Sequence, residues 1–221
     1  GALEAELQRG ADLEGALADL LSREMKAIKH VLFNGDGYSA DWQEEARRRG
    51  LLNLPTTLDA LEKLEDAKNA TLFEKYGVLS RRELESRYEI ALDQYFKTVN
   101  IEGETTADMV RAMILPAAVR YLNDLLAVAD RSRALGVSSA GVQETLLHVT
   151  SLVDELVPAL ARLVEQNAEL GGETVHSKAY HMRNEIVPAM RAVRELVDQL
   201  EKVVPDDYWP LPTYRDMLFV K

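Results

Sequence analysis

The fold is decided by residues 80–136, SRRELESRYEIALDQYFKTVNIEGETTADMVRAMILPAAVRYLNDLLAVADRSRALG. Ser80 stands three residues before Glu83, which is the capping-box spacing of a helix start, and Gly136 is a helix-ending residue. Between them, apolar side chains recur at steps of three and four residues, the period of an amphipathic helix. The pattern predicts a helix of roughly 80 Å at about 1.5 Å per residue. A helix of that length needs partners along its length.

Two positions inside this stretch weaken the prediction of a straight helix. Gly103, beside the β-branched Thr105 and Thr106, lowers helix propensity, and Pro116 removes a backbone donor. We expect a bend near Gly103 or Pro116, with the helix continuing beyond it.

The remainder of the chain also shows helical periodicity. We predict a first helix over about 2–29, short helices over about 39–49 and within 57–76, and long helices over about 140–170 and 174–204. No segment alternates with the period of a strand. The predicted fold class is therefore all-α: an up-and-down bundle of long antiparallel helices with a short helical cap and an extended aromatic C-terminal tail.

The predicted organisation is a single helical domain over residues 1–221. Within it, residues 1–79 form the N-terminal helix and the short-helix cap, 80–204 the long-helix bundle, and 205–221 a tail that docks on its own fold or on a neighbouring subunit.

Composition excludes several classes of function. The formal net charge of -11 disfavours a nucleic-acid or anionic-membrane surface, because such surfaces need clustered Lys and Arg. The absence of cysteine excludes disulfides, thiolate metal sites and Cys nucleophiles. No basic segment precedes an apolar run at the N-terminus, and no uninterrupted apolar run approaches the roughly 20 residues of a membrane span. We expect a cytoplasmic protein with neither nucleic-acid nor membrane partners.

The sequence contains none of the common catalytic or nucleotide-binding motifs. His181 and Glu185, four residues apart, could together bind one metal, but bundle metal sites use paired Glu-x-x-His motifs that this sequence lacks. An ion pair at the surface is the favoured interpretation. We predict no catalytic, cofactor-binding or metal-binding residue in this chain, whose residues alone indicate an interaction or scaffolding module.

Two segments are candidates for contacts with other subunits. The first is a Gly-containing loop after residue 33, whose composition favours a plain turn over a phosphate cradle. The second is the aromatic tail. The candidate interface residues are Asn34, Gly35, Asp36, Gly37, Tyr38, Trp209, Tyr214 and Phe219.

Several segments together resemble the C-terminal region of type III glutamine synthetases, in the family's order and spacing. The matching segments are FNGDGYSADW (33–42), RRGLLNLPTTLDAL (48–61), LFEKYGVLSRRELESRYEIAL (72–92), KTVNIE (97–102), ILPAAVRY (114–121), NEIVPAMRAVRELVDQLE (184–201) and WPLPTYRDMLF (209–219). The resemblance covers most of the chain from about residue 20. Gly103 departs from it, because the family more usually has alanine there.

The resemblance implies a piece of an enzyme rather than a complete one. A full-length protein of this family would make glutamine from glutamate and ammonia, using ATP and Mg²⁺ or Mn²⁺, in stacked hexameric rings. The family's catalytic core is not in these residues, and none of its metal or nucleotide ligands maps onto them. The implied partners are the protein's own catalytic domain and the other subunits of a homo-oligomer, and the implied role is structural.

Two other interpretations remain at this stage. One is a free-standing helical adaptor whose grooves bind partner helices. The other, less favoured, is a metal-using bundle enzyme.

Overall fold

The computed structural model describes residues 1–212 and 214–218, and every regular element in that part of the chain is helical. The predicted all-α bundle is confirmed. The chain divides into two compact units, residues 1–56 and residues 57–221. The boundary falls before the two short helices of the predicted cap, which belong with the long helices.

The first unit contains three α-helices. They are α1 (Ala2–Gln8), α2 (Leu13–Ile28), which continues into a 3-10 turn (Lys29–Val31), and α3 (Ala40–Arg48). The predicted single helix over 2–29 is wrong: Gly10 has a φ of 88°, a left-handed conformation that ends α1. Asp12 then caps α2 by accepting from the amide of Gly15 at 3.1 Å.

The second unit contains the long helices. Its elements are α4 (Thr57–Glu62), α5 (Ala67–Lys75), α6 (Arg81–Met109), a π-helical segment (Val110–Ile114), α7 (Leu115–Leu135), α8 (Ala140–Glu169), α9 (Val175–His181), a second π-helical segment (Met182–Ile186), α10 (Val187–Glu201) and α11 (Tyr214–Leu218). The helix α11 lies in the tail that was predicted to be extended, so that prediction is wrong for these five residues.

The predicted ends of the longest helix are confirmed. Ser80 accepts from the amide of Glu83 at 3.3 Å, and the carboxylate of Glu83 accepts from the amide of Ser80 at 2.8 Å. These hydrogen bonds from the amide and hydroxyl of Ser80 lower the pKa of Glu83. At the other end, Gly136 has a φ of 68° and its amide bonds back to Arg133.

Between these ends the helix runs without interruption from Arg81 to Leu135. Gly103 lies in regular α-helix, and the irregular turn is the π-helical segment that precedes Pro116. The second π-helical segment stands in the same position before Pro188. Proline lacks an amide hydrogen and its ring crowds the carbonyl four residues earlier, which favours a widened turn. Pro158 lies inside α8 without such a segment, so proline alone does not produce one.

The main core lies between α6 and α7 on one side and α8 and α10 on the other. Both π-helical segments contribute to it, since Val110, Ile114, Met182 and Ile186 are each at most 2% exposed. A smaller cluster joins α4 to the long helices through Leu58, Tyr88, Leu92 and Ala179. The ion pair between Arg183 and Asp59 supports the same junction.

One 18-residue window of the helix Arg81–Leu135 has a mean hydropathy of 1.4, enough by length and composition to cross a membrane. Core helices of soluble proteins meet the same criterion. Since this helix supplies one wall of the main core, we interpret it as a bundle helix.

Candidate functional site

The loop that was predicted to contact other subunits, residues 34–38, lies between α2 and α3 in the first unit. The carboxylate of Asp36 accepts from the amide of Tyr38 at 2.9 Å, and Ser39 donates its hydroxyl to the carbonyl of Asp36 at 2.7 Å. These local bonds form a plain turn of the Asx type. The side chain of Tyr38 is 99% exposed. The turn therefore presents an exposed aromatic ring to solvent.

The two glycines of this loop do not adopt positive φ values. Gly35 serves a different purpose, because a Cβ at this position would lie 2.5 Å from Cζ of the Phe33 ring. That ring also packs on Trp42, with 4.7 Å between the ring centroids. Only glycine leaves room for the ring here, so Gly35 is explained by packing and not by backbone conformation.

The basic end of α3 is neutralised by carboxylates of the same helix. Glu45 accepts from Arg48 and Arg49 at 2.5 and 2.6 Å, and these bonds lower the pKa of Glu45 to about 2. Arg49 also donates to the carbonyls of His30 and Leu32 at 2.8 and 2.5 Å. The cluster thus fastens α3 to the segment that follows α2, and its cations are engaged within the unit.

The first half of the tail packs on the bundle of its own chain. Trp209 is 8% exposed and belongs to the main core, although its indole Nε1 has no hydrogen-bond partner within the described residues. Tyr208 donates its hydroxyl to Asp124, which raises the pKa of the phenol. Trp209 also borders an apolar groove of about 720 Å³ between α6 and α10. The tail is therefore held at Tyr208 and Trp209.

Tyr214 and Phe219 are the other two tail residues that were predicted to form an interface. Tyr214 begins α11, and nothing is described of its side chain. Phe219 lies outside the described residues.

His181 and Glu185 do not form the ion pair that their spacing suggested. Each binds Gln166 of α8 instead: His181 donates from Nε2 to the main-chain carbonyl of Gln166, and the side-chain amide of Gln166 donates to Glu185, both at 2.7 Å. Within residues 1–212 and 214–218, no three His, Cys, Asp or Glu side chains are grouped so as to hold a metal ion. The two residues thus join helices.

A second polar contact near this point was not predicted. Asn167 is 8% exposed and donates its side-chain amide to the carbonyl of Asn100 at 3.3 Å. Its oxygen faces Gly103, where a Cβ would lie 2.8 Å away. The small residue in α6 is what allows α8 to approach this closely. A glycine inside a strong helical pattern was the available signal.

An apolar stripe runs along α2 and is largely exposed. Ala16 is buried, and the large apolar side chains along the helix remain accessible. Together with Tyr38, these side chains make the first unit rich in exposed apolar and aromatic surface.

Comparison with known proteins gives a consistent result. A family model described as "Glutamine synthetase C-terminal domain" matches residues 16–133. The "Type-3 glutamine synthetase" of Dictyostelium discoideum is 35% identical over 204 residues, which are 88% of this chain and 28% of the relative. The "Glutamine synthetase" of Butyrivibrio fibrisolvens is 31% identical over 214 residues, 95% of this chain and 30% of the relative. The "Glutamine synthetase" of Bacteroides fragilis is 29% identical over 222 residues, which are 97% of this chain and 30% of the relative. The chain spans 28 to 30% of the length of these relatives.

Proposed function

Because this chain belongs to the family of glutamine synthetase C-terminal domains, we propose that it is the structural and assembly portion of a type III glutamine synthetase. The resemblance read from the sequence is thereby confirmed. The full-length enzyme would join glutamate and ammonia into glutamine in the cytoplasm, using ATP.

The observation that carries this proposal is the match over residues 16–133, which includes most of the helix Arg81–Leu135. The side chains support a non-catalytic role for the piece. His181 and Glu185 were considered as metal ligands from their spacing in the sequence. In the structure both bind Gln166 of α8 and so join helices. We propose that ATP and Mg²⁺ or Mn²⁺ bind to the catalytic portion of the full-length enzyme.

The role that we propose for the chain is contact with its catalytic portion and with neighbouring subunits of a homo-oligomer. Tyr38 is suited to such a contact because its ring is 99% exposed on a turn held by its own hydrogen bonds. Trp209 supports the role differently, since it anchors the tail on the bundle and so positions the residues that follow.

The test compares three proteins: the full-length product of the gene, the same product lacking the 221 residues, and the chain alone. Glutamine formation is measured with ATP, Mg²⁺, glutamate and ammonia. We expect activity from the full-length protein only. Robust activity from the isolated chain, or a full-length gene without a ligase portion, would contradict the proposal and favour the free-standing adaptor.

Assembly of the full-length protein tests the interface residues. Tyr38→Ala should leave thermal unfolding unchanged and reduce the assembled fraction in sedimentation velocity. Replacing Trp209 and Tyr214 by Ala together should loosen the tail. If stability and assembly both stay unchanged in the double variant, these residues are not anchors.

A further inference from the structure

The apolar groove of about 720 Å³ between α6 and α10 lies entirely within the second unit. A volume of this size falls within the roughly 300–1,000 Å³ that is usual for small-molecule sites. The tail residues Trp209 and Leu211 form part of its wall. The most deeply buried of its lining side chains belong to the main core and are each at most 2% exposed: Val110, Ile114 and Val193. The groove therefore reaches the core, where a ligand can bury apolar surface.

The wall of this groove contains a hydrogen-bond donor that lacks an acceptor. Trp209 is 8% exposed, and its indole Nε1 has no hydrogen-bond partner among the described residues. Folded proteins leave few buried donors unpaired, because such a donor has lost its hydrogen bonds to water without gaining others. Small-molecule sites combine an apolar lining with a few polar groups that orient the ligand. Trp209 can be such a group for a ligand that brings an oxygen acceptor.

The charges around the groove favour an uncharged ligand. Five charged side chains line it, and none of them is buried: Glu102, Arg191, Arg194, Asp198 and Glu201. Arg194 and Asp198 are paired with each other at 3.5 Å. Of the other three, only Arg191 is positive, so the lining has no excess of positive charge to hold an anion that has left water.

The two remaining carboxylates are too far apart to bind one cation together. Gly103, the neighbour of Glu102, packs against Ile186. Glu201 stands fifteen residues beyond Ile186 along the helix that ends with α10, which is about 22 Å at about 1.5 Å per residue. The groove thus offers a concentrated charge of neither sign.

We propose that the groove binds an uncharged, largely apolar small molecule that carries a carbonyl oxygen, and that this oxygen accepts from Nε1 of Trp209. Nε1 is closed to water in this structure, so the indole turns toward the groove when the ligand binds. Three methionines line the groove, and their flexible side chains can adjust to the ligand: Met109, Met190 and Met217. The inference concerns a binding site within this chain and does not depend on the proposed function.

Fluorescence titration of the 221-residue chain tests the chemistry of the ligand. The probe is prodan, an uncharged naphthalene that carries a ketone, in a Trp42→Phe background that leaves Trp209 as the remaining tryptophan. Prodan should saturate at one molecule per chain and quench the fluorescence of Trp209. 2-Acetylnaphthalene should displace it, whereas naphthalene-2-carboxylate at the same concentration should not. Equal displacement by the carboxylate would overturn the assignment of an uncharged ligand.

Trp209→Phe tests the hydrogen bond, because it removes the N–H and keeps an aromatic ring. It should weaken prodan binding by about five- to tenfold, the effect of one hydrogen bond. Binding of N-phenyl-1-naphthylamine, an uncharged probe without a carbonyl, should change by less than about twofold. Each probe's own fluorescence measures both affinities, and circular dichroism checks the fold. An equal loss for the two probes would show that Trp209 only shapes the groove and would overturn the hydrogen-bond assignment.

A pair of exposed substitutions tests the location of the site. Thr105 lines the groove and is exposed, so Thr105→Phe should fill part of the groove and weaken both probes without unfolding the chain. Ala192→Phe is the matched control, because Ala192 is exposed on α10 outside the groove, and it should weaken neither probe. Prodan binding that survives Thr105→Phe would place the probe on another apolar surface and overturn the inference. None of these measurements uses glutamine formation, so that outcome would leave the proposed ligase function untouched.

Discussion

Gly103→Ala tests the close contact between α6 and α8. An added Cβ would lie 2.8 Å from Oδ1 of Asn167, 3.1 Å from Cγ2 of Ile186 and 3.2 Å from Cγ of Asn167. Ile186 is fully buried, and Asn167 is held by its bond to the carbonyl of Asn100. The Cβ therefore has no free space, and Asn167 must move to admit it.

Two opposing effects set the size of the change. Replacing glycine by alanine inside a helix ordinarily stabilises by about 1 kcal/mol. Overpacking a well-filled contact costs about 1–3 kcal/mol, and displacing Asn167 also breaks a partly buried hydrogen bond worth about 1 kcal/mol. We expect the free energy of unfolding of the second unit to fall by about 1–3 kcal/mol, a change opposite in sign to the propensity effect.

Chemical denaturation measures this change with Trp209 fluorescence, in a Trp42→Phe background that leaves Trp209 as the remaining tryptophan. Gly141→Ala is the matched control, because a Cβ there meets nothing within 4 Å. It should stabilise by a few tenths to about 1 kcal/mol. In an Asn167→Ala background, Gly103→Ala should lose most of its cost, giving a coupling energy of about 1–2 kcal/mol. If Gly103→Ala stabilises the parent chain as much as Gly141→Ala does, the steric argument is refuted.

Three further predictions concern other contacts. The pKa of Glu45 is about 2, below the ordinary 4.5, so its ion pairs add stability that is full above pH 4.5 and is lost as the pH falls toward 2. Glu45→Gln should therefore flatten this part of the acid unfolding curve. An acid unfolding curve that is unchanged in the variant would contradict the prediction. Gly171→Ala should lower the free energy of unfolding by about 3 kcal/mol, because Gly171 has a φ of 75° and a Cβ would lie 2.1 Å from a side-chain carbon of α9. Gly136→Ala is the control and should lower it by only about 1 kcal/mol, because Gly136 has a φ of 68° but open space around it. Equal losses of the two variants in urea unfolding would refute the steric part of the argument. Trp209→Ala should lower the free energy of unfolding by about 3–5 kcal/mol. The exposed control Tyr38→Ala should change it by no more than about 0.5 kcal/mol. A similarly small loss for Trp209→Ala would show that the tail is not anchored at Trp209.

Much of the fold could be predicted because its signals are local. The capping box at Ser80, the helix end at Gly136 and the three- and four-residue periodicity all concern residues within one or two turns of each other. Such signals depend only on residues that are close together in the sequence. The family resemblance rests on ordered segments of the same kind, which is why it could be recognised before any contact was known.

The candidate site was less accessible to such reasoning. The loop after residue 33 was identified by its composition, but the purpose of Gly35 depends on the ring of Phe33 folding back over it. The spacing of His181 and Glu185 suggested that they pair, yet both bind Gln166 of another helix. Sequence spacing within one helix does not show which side chain a neighbouring helix presents.

The sequence by itself determined the helical class, both ends of the longest helix and the family, because backbone capping and amphipathic periodicity act over a few residues. Only the tertiary structure decided that the long helix passes through Gly103 in regular geometry, that this glycine admits Asn167, and that the large apolar side chains of α2 are exposed. The physical reason is the same in each case. Steric fit and burial depend on atoms brought together from distant parts of the chain, and no local pattern records which atoms those are.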